Sequence, residues 1–246
     1  MTVVRCRQRS NRWQERVMDA PASIEVLLTQ VTLFKGVPPS ELAELSRATR
    51  KIYARKGDIL FRKNDLCTGF HAILQGQVKL TVCSLQGSEK VVKILTEGAS
   101  FGEAAMLMDQ PHSVFAEALS DSLLLHVGKD ALFAQLERNH HLCRRMLSGM
   151  ALREHDLMAD VESYALHSGT QRVISYLMRN VSHEDLGDDN IVVTLPTNKG
   201  VIASRLSLTQ EHFSRILHDL INLELIVVEG RGIHIPSVMK LQEHGA

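Results

Sequence analysis

The sequence has little of what membrane, redox or metal proteins require. No apolar run approaches the roughly 20 residues that a membrane-spanning helix needs, and no apolar segment of a secretory signal follows the arginines near the N-terminus. The four cysteines are scattered, without a CxxC pair or a metal-type spacing, which disfavours a disulfide framework, a zinc site and an iron–sulfur cluster. We therefore expect a cytoplasmic protein with no membrane contact and no bound metal.

Signatures of catalysis and of general nucleic-acid binding are also missing. There is no P-loop, no nucleophile elbow and no cluster of metal ligands, so the sequence does not predict an enzyme. The formal net charge is zero, and residues 165–246 carry seven Lys or Arg against nine Asp or Glu. Any contact with DNA must therefore rest on a local surface rather than on overall charge.

The pattern along the chain predicts an α+β protein with three folded parts. Residues 1–22 are arginine-rich without apolar periodicity and are expected to form a disordered tail. Short alternating runs separated by turn glycines predict an antiparallel sandwich or barrel in the domain at 23–135. A long helical segment follows at 136–166, and a domain of shorter helices with a β-hairpin follows at 167–246.

The long helix carries a narrow apolar stripe that is interrupted at Arg153. A narrow stripe on a helix of this length is typical of packing against a partner helix, although packing within the domain is an alternative. We therefore predict a dimer helix with these seam residues: Leu142, Met146, Met150, Leu157 and Val161.

Residues 198–235 follow the order of a winged helix-turn-helix: helix, short turn, helix and hairpin. The two helices are predicted at roughly 198–206 and 208–222, with Ser207 at the turn. Two β-branched runs around 230–232 predict the hairpin. Apolar residues at helical spacing give the second helix a buried stripe: Phe213, Ile216, Leu217 and Leu220.

Four polar side chains lie on the opposite face of that helix, within one turn of each other: Gln210, Glu211, Ser214 and Arg215. An arginine can bond guanine with two N–H groups, a glutamate can accept from cytosine, and a glutamine can bond adenine or phosphate. A solvated face with an intrahelical pair between Glu211 and Arg215 is the alternative, but the adjacent turn and wing favour DNA binding. Four further residues complete the predicted DNA contacts: Lys199, Ser207, Thr209 and Arg231.

From about residue 30 to 237 the sequence resembles the Crp/Fnr family of transcription regulators. The segment Ser207–Leu217, with Glu211-x-x-Ser214-Arg215, is similar to the fumarate-nitrate branch, which reads TTGAT-type inverted repeats; the family's usual turn glycine is replaced by Ser207. Residues 57–61, 74–80 and 102–103 are similar to the family's cyclic-nucleotide-type β-roll. The resemblance implies an N-terminal double-stranded β-helix, a homodimer, and double-stranded DNA and RNA polymerase as partners.

Residues 101–113 lie where the family's β-roll holds its phosphate cassette, and the resemblance implies an effector pocket at Gly102, Glu103, His112 and Ser113. Cyclic-AMP binders carry an arginine where His112 stands, and the spacing here is one residue shorter. Because no arginine lies between Arg62 and Arg138, we expect a pocket without a permanent cation, which disfavours cyclic AMP. The alternative is a cyclic-nucleotide-binding regulator that uses Gly102, Glu103 and Ser113.

Residues 103–111 are similar to the dissimilative nitrate respiration regulators, which are regarded as haem-dependent nitric oxide sensors. Haem would need an axial ligand inside an apolar pocket, and four histidines are candidates: His71, His126, His140 and His141. The family's oxygen sensors need clustered N-terminal cysteines, whereas Cys6 stands alone there. Haem stays open as an effector, an iron–sulfur cluster is disfavoured, and the sequence does not identify the effector.

Overall fold

The structure is a computed structural model that describes residues 23–84, 86–181 and 189–245. The predicted tail at 1–22 and most of the acidic loop at 182–190 lie outside these residues. None of the helices described here is long and apolar enough to cross a membrane. The fold class predicted from the sequence is confirmed: a β-roll, a long helix and a winged helix-turn-helix follow one another along the chain.

The β-roll consists of two four-stranded antiparallel sheets, with strand orders β1-β8-β3-β6 and β2-β7-β4-β5. Its strands are β1 Thr49–Ala54, β2 Ile59–Phe61, β3 Gly69–Gln75, β4 Val78–Cys83, β5 Glu89–Leu95, β6 Ser100–Phe101, β7 Phe115–Ala118 and β8 Ser122–Gly128. Ile73, Val78 and Leu124 are fully buried between the sheets. Gly76 turns β3 into β4 with φ 97°, and a Cβ there would lie 2.2 Å from Ser122 Oγ, so only glycine fits this turn.

Short helices cover the first sheet on its outer face. They are α1 Ile24–Leu28, α2 Ala43–Arg47 and α4 Lys129–Arg138, with 3-10 turns at Thr32–Phe34 and Pro39–Leu42; α3, Glu103–Leu107, lies in the cassette. Phe34 and Phe70 are fully buried beneath them, with ring centroids 6.2 Å apart. This layer forms a second hydrophobic core beside the one between the sheets.

The long helix α5, His140–Leu166, begins where the Asn139 side chain accepts a hydrogen bond from the Leu142 backbone N–H at 3.0 Å. Its first two turns pack on the β-roll, so Leu142 and Met146 are only 2% and 5% exposed. The prediction that these two residues form a dimer seam is therefore corrected: they belong to the protein's own core. The predicted residues further along, Met150, Leu157 and Val161, are exposed.

The C-terminal domain contains α6 Gly169–Arg179, β9 Asp189–Thr194, α7 Lys199–Arg205, α8 Gln210–Asn222, β10 Val227–Glu229, β11 Gly232–Ser237 and α9 Val238–Gly245. Ser168 and Gln171 form a reciprocal capping box at the start of α6, which explains why the long helix stops before it. Strand β9 pairs with β11 and makes the wing a three-stranded sheet, a feature that the sequence analysis did not predict.

Candidate nucleic-acid interface and effector cavity

Helix α8 presents a polar face to the solvent. Its N-cap, Thr209, accepts a hydrogen bond from the His212 backbone N–H at 3.2 Å. The predicted stripe is buried against the domain core, and all four polar side chains of the predicted DNA-reading face are exposed on the other side: Gln210, Glu211, Ser214 and Arg215. The geometry therefore brings together the four groups that were predicted to contact base edges.

The turn before α8 uses a strained residue. Ser207 has φ 55°, in the left-handed region where glycine is usual. The Leu208 backbone N–H donates to the Ala203 carbonyl at 2.9 Å, and buried Ala203 allows the close approach of α7 and α8. The serine thus adopts the glycine-like conformation that a tight helix-turn-helix needs.

Strand β5 of the β-roll holds the end of α7. The ammonium of Lys90 donates to the carbonyls of Ser204 and Arg205 and to the Ser207 hydroxyl, and the Val91 backbone N–H donates to Ser204 Oγ at 2.9 Å. A cation at a helix C-terminus is favoured by the helix dipole. These hydrogen bonds fix the helix-turn-helix against the strand that also borders the effector cavity, and no local sequence pattern predicted them.

Two other predicted DNA contacts lie apart from the exposed face of α8. Lys199 is half-buried in the first turn of α7, and exposed Arg231 lies in the wing. Both line a cavity between the wing and the β-roll, together with Lys56. These residues form a basic group of their own, and their contact with DNA stays a prediction.

The four predicted effector residues line one cavity of about 290 Å³: Gly102, Glu103, His112 and Ser113. Phe61 and Phe101 of the β-roll and Leu157 of α5 supply apolar walls. This volume is at the lower end of the range for small-molecule sites, roughly 300–1,000 Å³. The cavity therefore suits a small effector that contacts both the roll and the long helix.

Arg153 of α5 reaches into this cavity and binds Glu103, which is 3% exposed. Its two terminal nitrogens donate to the two carboxylate oxygens at 2.8 and 2.9 Å, and Nη2 also donates to Ser100 Oγ at 3.0 Å. The Glu103 carboxylate raises the pKa of Arg153. Arg153 was not among the site residues predicted from the sequence, although the break that it makes in the apolar stripe was a signal.

His112 does not replace the missing arginine as a cation. Its ring is stacked on Phe61, with centroids 3.6 Å apart, and burial lowers its pKa despite the opposing charge of Asp65. Arg153 and Lys93, however, line the same cavity. The expectation of a pocket without a permanent cation was therefore wrong, because both cations come from outside the cassette.

The four candidate haem ligands do not line this cavity. His71 and His126 are buried inside the β-roll, with His71 stacked on Phe101 at a centroid distance of 5.2 Å, whereas His140 and His141 are exposed at the start of α5. Within the described ranges, no group of three or more metal-ligating side chains is arranged to hold a metal ion. The residues present therefore do not fit a haem held in this cavity by these histidines.

Comparison with known proteins matches both folded domains. Residues 51–139 match the cyclic nucleotide-binding domain, and residues 171–244 match the Crp-like helix-turn-helix domain. The chain is 28% identical to the fumarate and nitrate reduction regulatory protein of Vibrio cholerae, over 83% of this chain and 82% of that protein. It is 27% identical to the cyclic AMP receptor protein of Thermus thermophilus, over 76% of this chain and 84% of that protein. Its fold is similar to that of FixK2 from Bradyrhizobium japonicum, with a TM-score of 0.69 and 19% identity over 79% of this chain and 96% of that chain.

Proposed function

The chain belongs to the Crp/Fnr family of transcription regulators, whose members bind DNA as dimers, and from this we propose how it does so. The protein is a homodimer that reads a palindromic TTGAT-like site in double-stranded DNA through α8. An effector in the cavity between the β-roll and α5 controls its affinity for DNA. Lys199 of α7, Thr209 at the N-cap of α8 and Arg231 of the wing contribute contacts to the DNA backbone.

The exposed face of α8 carries this proposal. Its polar side chains project from a helix whose opposite face is buried, as a helix in the major groove requires. Arg215 offers two N–H groups to guanine, and Glu211, one turn away, offers an acceptor to cytosine. These two side chains can therefore specify neighbouring base pairs in each half-site.

The test is a titration of the full-length protein with labelled duplexes, followed by fluorescence anisotropy at fixed salt. We expect tight binding to an inverted TTGAT repeat whose half-site centres are about 34 Å apart, one turn of the double helix. A duplex with the half-sites half a turn further apart should bind much more weakly, because the two copies of α8 then face opposite sides. Equal affinity for both duplexes and for a scrambled one would refute the proposal.

The exposed apolar residues of α5 support the dimer. Leu147, Met150, Leu157 and Val161 are 62%, 39%, 56% and 62% exposed and lie at the three-, seven- and four-residue intervals of a coiled-coil seam, in which Glu154 occupies the remaining position. The seam that we propose therefore starts one turn later than predicted from the sequence. Leu152 is 67% exposed but lies off this spacing, which makes it a matched control.

Replacing Leu157 with glutamate should convert the dimer into a monomer, because a carboxylate would be buried opposite its own copy in the seam. Leu152→Glu introduces the same charge on the same helix and should stay dimeric. Size-exclusion chromatography with light scattering gives the mass of each variant. Two dimeric variants of equal stability would place the interface elsewhere.

A cyclic-nucleotide-binding regulator is the second candidate, and the cations Arg153 and Lys93 in the cavity favour it. The ligand would contact Gly102, Glu103 and Ser113. Both carboxylate oxygens of Glu103 already accept hydrogen bonds from Arg153, so a nucleotide must displace that arginine before it binds. Calorimetric titration with cyclic AMP separates the candidates: saturable binding that strengthens DNA binding supports the second one.

The family's role in transcription implies a protein partner and a cellular location. RNA polymerase is the protein partner at the promoter, and the cytoplasm, where the target DNA lies, is the place of action. Co-migration of polymerase with the protein on a promoter fragment, compared with a fragment lacking the inverted repeat, tests the partner.

A further inference from the structure

A second cavity, of about 330 Å³, lies where strand β5, the long helix α5 and the C-terminal helices α6 and α7 meet. It is separate from the effector cavity, although Lys93 lies in the walls of both. A molecule inside it would touch the β-roll, the dimer helix and the DNA-reading domain together. A bound molecule would therefore affect the relative position of these three parts.

Positive charge dominates the lining of this cavity. Four cations line it: Lys93, Arg172, Arg179 and Arg205. Asp160 is the one acidic side chain among the described residues in the lining, and it is shared between Arg205 at 2.6 Å and Arg179 at 3.6 Å. Lys93 pairs with Asp156 outside the lining at 3.1 Å. A single carboxylate thus serves two arginines, and the third has none.

Arg172 is the arginine without a partner. Its Nε is buried and makes no hydrogen bond within the part of the chain that the structure describes, where no carboxylate pairs with it either. A buried donor without an acceptor is destabilising, and more so when it is charged. A bound ligand with an oxygen acceptor would satisfy this N–H group.

Nearby Lys90 lies within reach of the same positive charges. Its pKa is lowered to about 8, first by burial and then by the charges of Arg205 and Arg172. Hydroxyl groups add neutral donors to the same lining, from Ser163, Ser175 and Tyr176. The cavity therefore combines excess positive charge with hydrogen-bond donors, which is the chemistry of an anion site.

We propose that this second cavity binds a compact polyanion, with the guanidinium groups of Arg172 and Arg179 as its main ligands. Planar guanidinium groups bind phosphoryl and carboxylate oxygens in pairs of parallel hydrogen bonds. The ligand carries two or more such groups, since the four cations face only two carboxylates, Asp156 and Asp160, and one negative charge would leave one cation uncompensated. By linking β5 to α6 and α7, it stabilises the arrangement in which the helix-turn-helix rests on the β-roll.

Calorimetric titration of the full-length protein with inorganic pyrophosphate at constant ionic strength tests this site. We expect saturable binding of one pyrophosphate per protomer, and at least tenfold weaker binding for Arg172→Gln. Arg47→Gln removes the same charge from an exposed position on α2, away from the cavity, and should bind like the wild type. A parallel titration with citrate tests a polycarboxylate. Tighter binding of pyrophosphate or of citrate then shows whether the site prefers phosphoryl or carboxylate groups.

Arg179→Gln guards against a folding defect in Arg172→Gln, because the Arg179 side chain is 57% exposed and its loss leaves the core intact. It should also weaken pyrophosphate binding. The proposal would be overturned if neither anion gave a saturable binding isotherm. It would also be overturned if Arg47→Gln weakened pyrophosphate binding as much as the cavity variants do. The titrations contain no DNA, so their failure leaves the proposed reading of DNA by α8 untouched, and the reverse also holds.

Discussion

Replacing Arg153 with methionine should lower the free energy of unfolding by about 3 kcal/mol. The change removes the bidentate partner of Glu103, a carboxylate that is 3% exposed, and leaves its charge buried without a cation. Breaking a buried ion pair from one side costs about 3–5 kcal/mol, and the lower end applies because the Arg153 side chain is 40% exposed. Urea unfolding at neutral pH measures the loss.

The matched control is the double variant Glu103→Gln with Arg153→Met, which removes both charges. It should recover most of the stability that the single variant loses, because the glutamine amide carries no charge into the apolar wall. If Arg153→Met is as stable as the wild type, the pair does not hold α5 against the β-roll.

Replacing His71 with phenylalanine should remove much of the acid sensitivity of the β-roll. Burial, assisted by the charges of His126, His112 and Arg50, lowers the pKa of His71 from 6.5 to about 3. Between these values the unfolded chain binds a proton that the folded chain does not, so stability falls as the pH drops below 6.5. At pH 5 the wild type should have lost about 2 kcal/mol through this residue.

Urea unfolding from pH 7 to pH 4 provides the measurement. The His71 Nδ1 has no hydrogen-bond partner among the described residues, so phenylalanine breaks no bond to that atom and keeps the ring on Phe101. His140→Phe removes a histidine from an exposed position and should leave the acid slope unchanged. Parallel slopes for wild type and His71→Phe would contradict the assignment.

Helix α8 was predictable because its determinants are local. The Thr209 cap, the apolar stripe from Phe213 to Leu220 and the polar face opposite it all follow from helical spacing within about a dozen residues. The turn was predictable despite Ser207, since Ala203 and Leu208 mark the crossing of the two helices. Sequence patterns of this range carry enough information to place the exposed polar face of α8.

Contacts between distant segments were not predictable. Glu103 and Arg153 are 50 residues apart, and only the packing of α5 across the cassette brings them together. The same packing turns Leu142 and Met146 into the protein's own core, although their spacing matches that of the exposed seam residues. The hydrogen bonds from Lys90 to the end of α7 form only because the C-terminal domain packs on the β-roll. No local sequence pattern predicts that packing.

The central claim, that the exposed face of α8 reads base pairs, is tested most directly by titrating Arg215→Ala against the inverted TTGAT repeat and its single-base variants. The loss of two N–H donors should weaken binding to the intact site by about 1–3 kcal/mol and remove the preference for guanine at one position of each half-site. Lys240→Ala removes one exposed cation from α9 of the same domain and should keep the full preference. An Arg215→Ala protein with unchanged affinity and unchanged base preference would contradict the account.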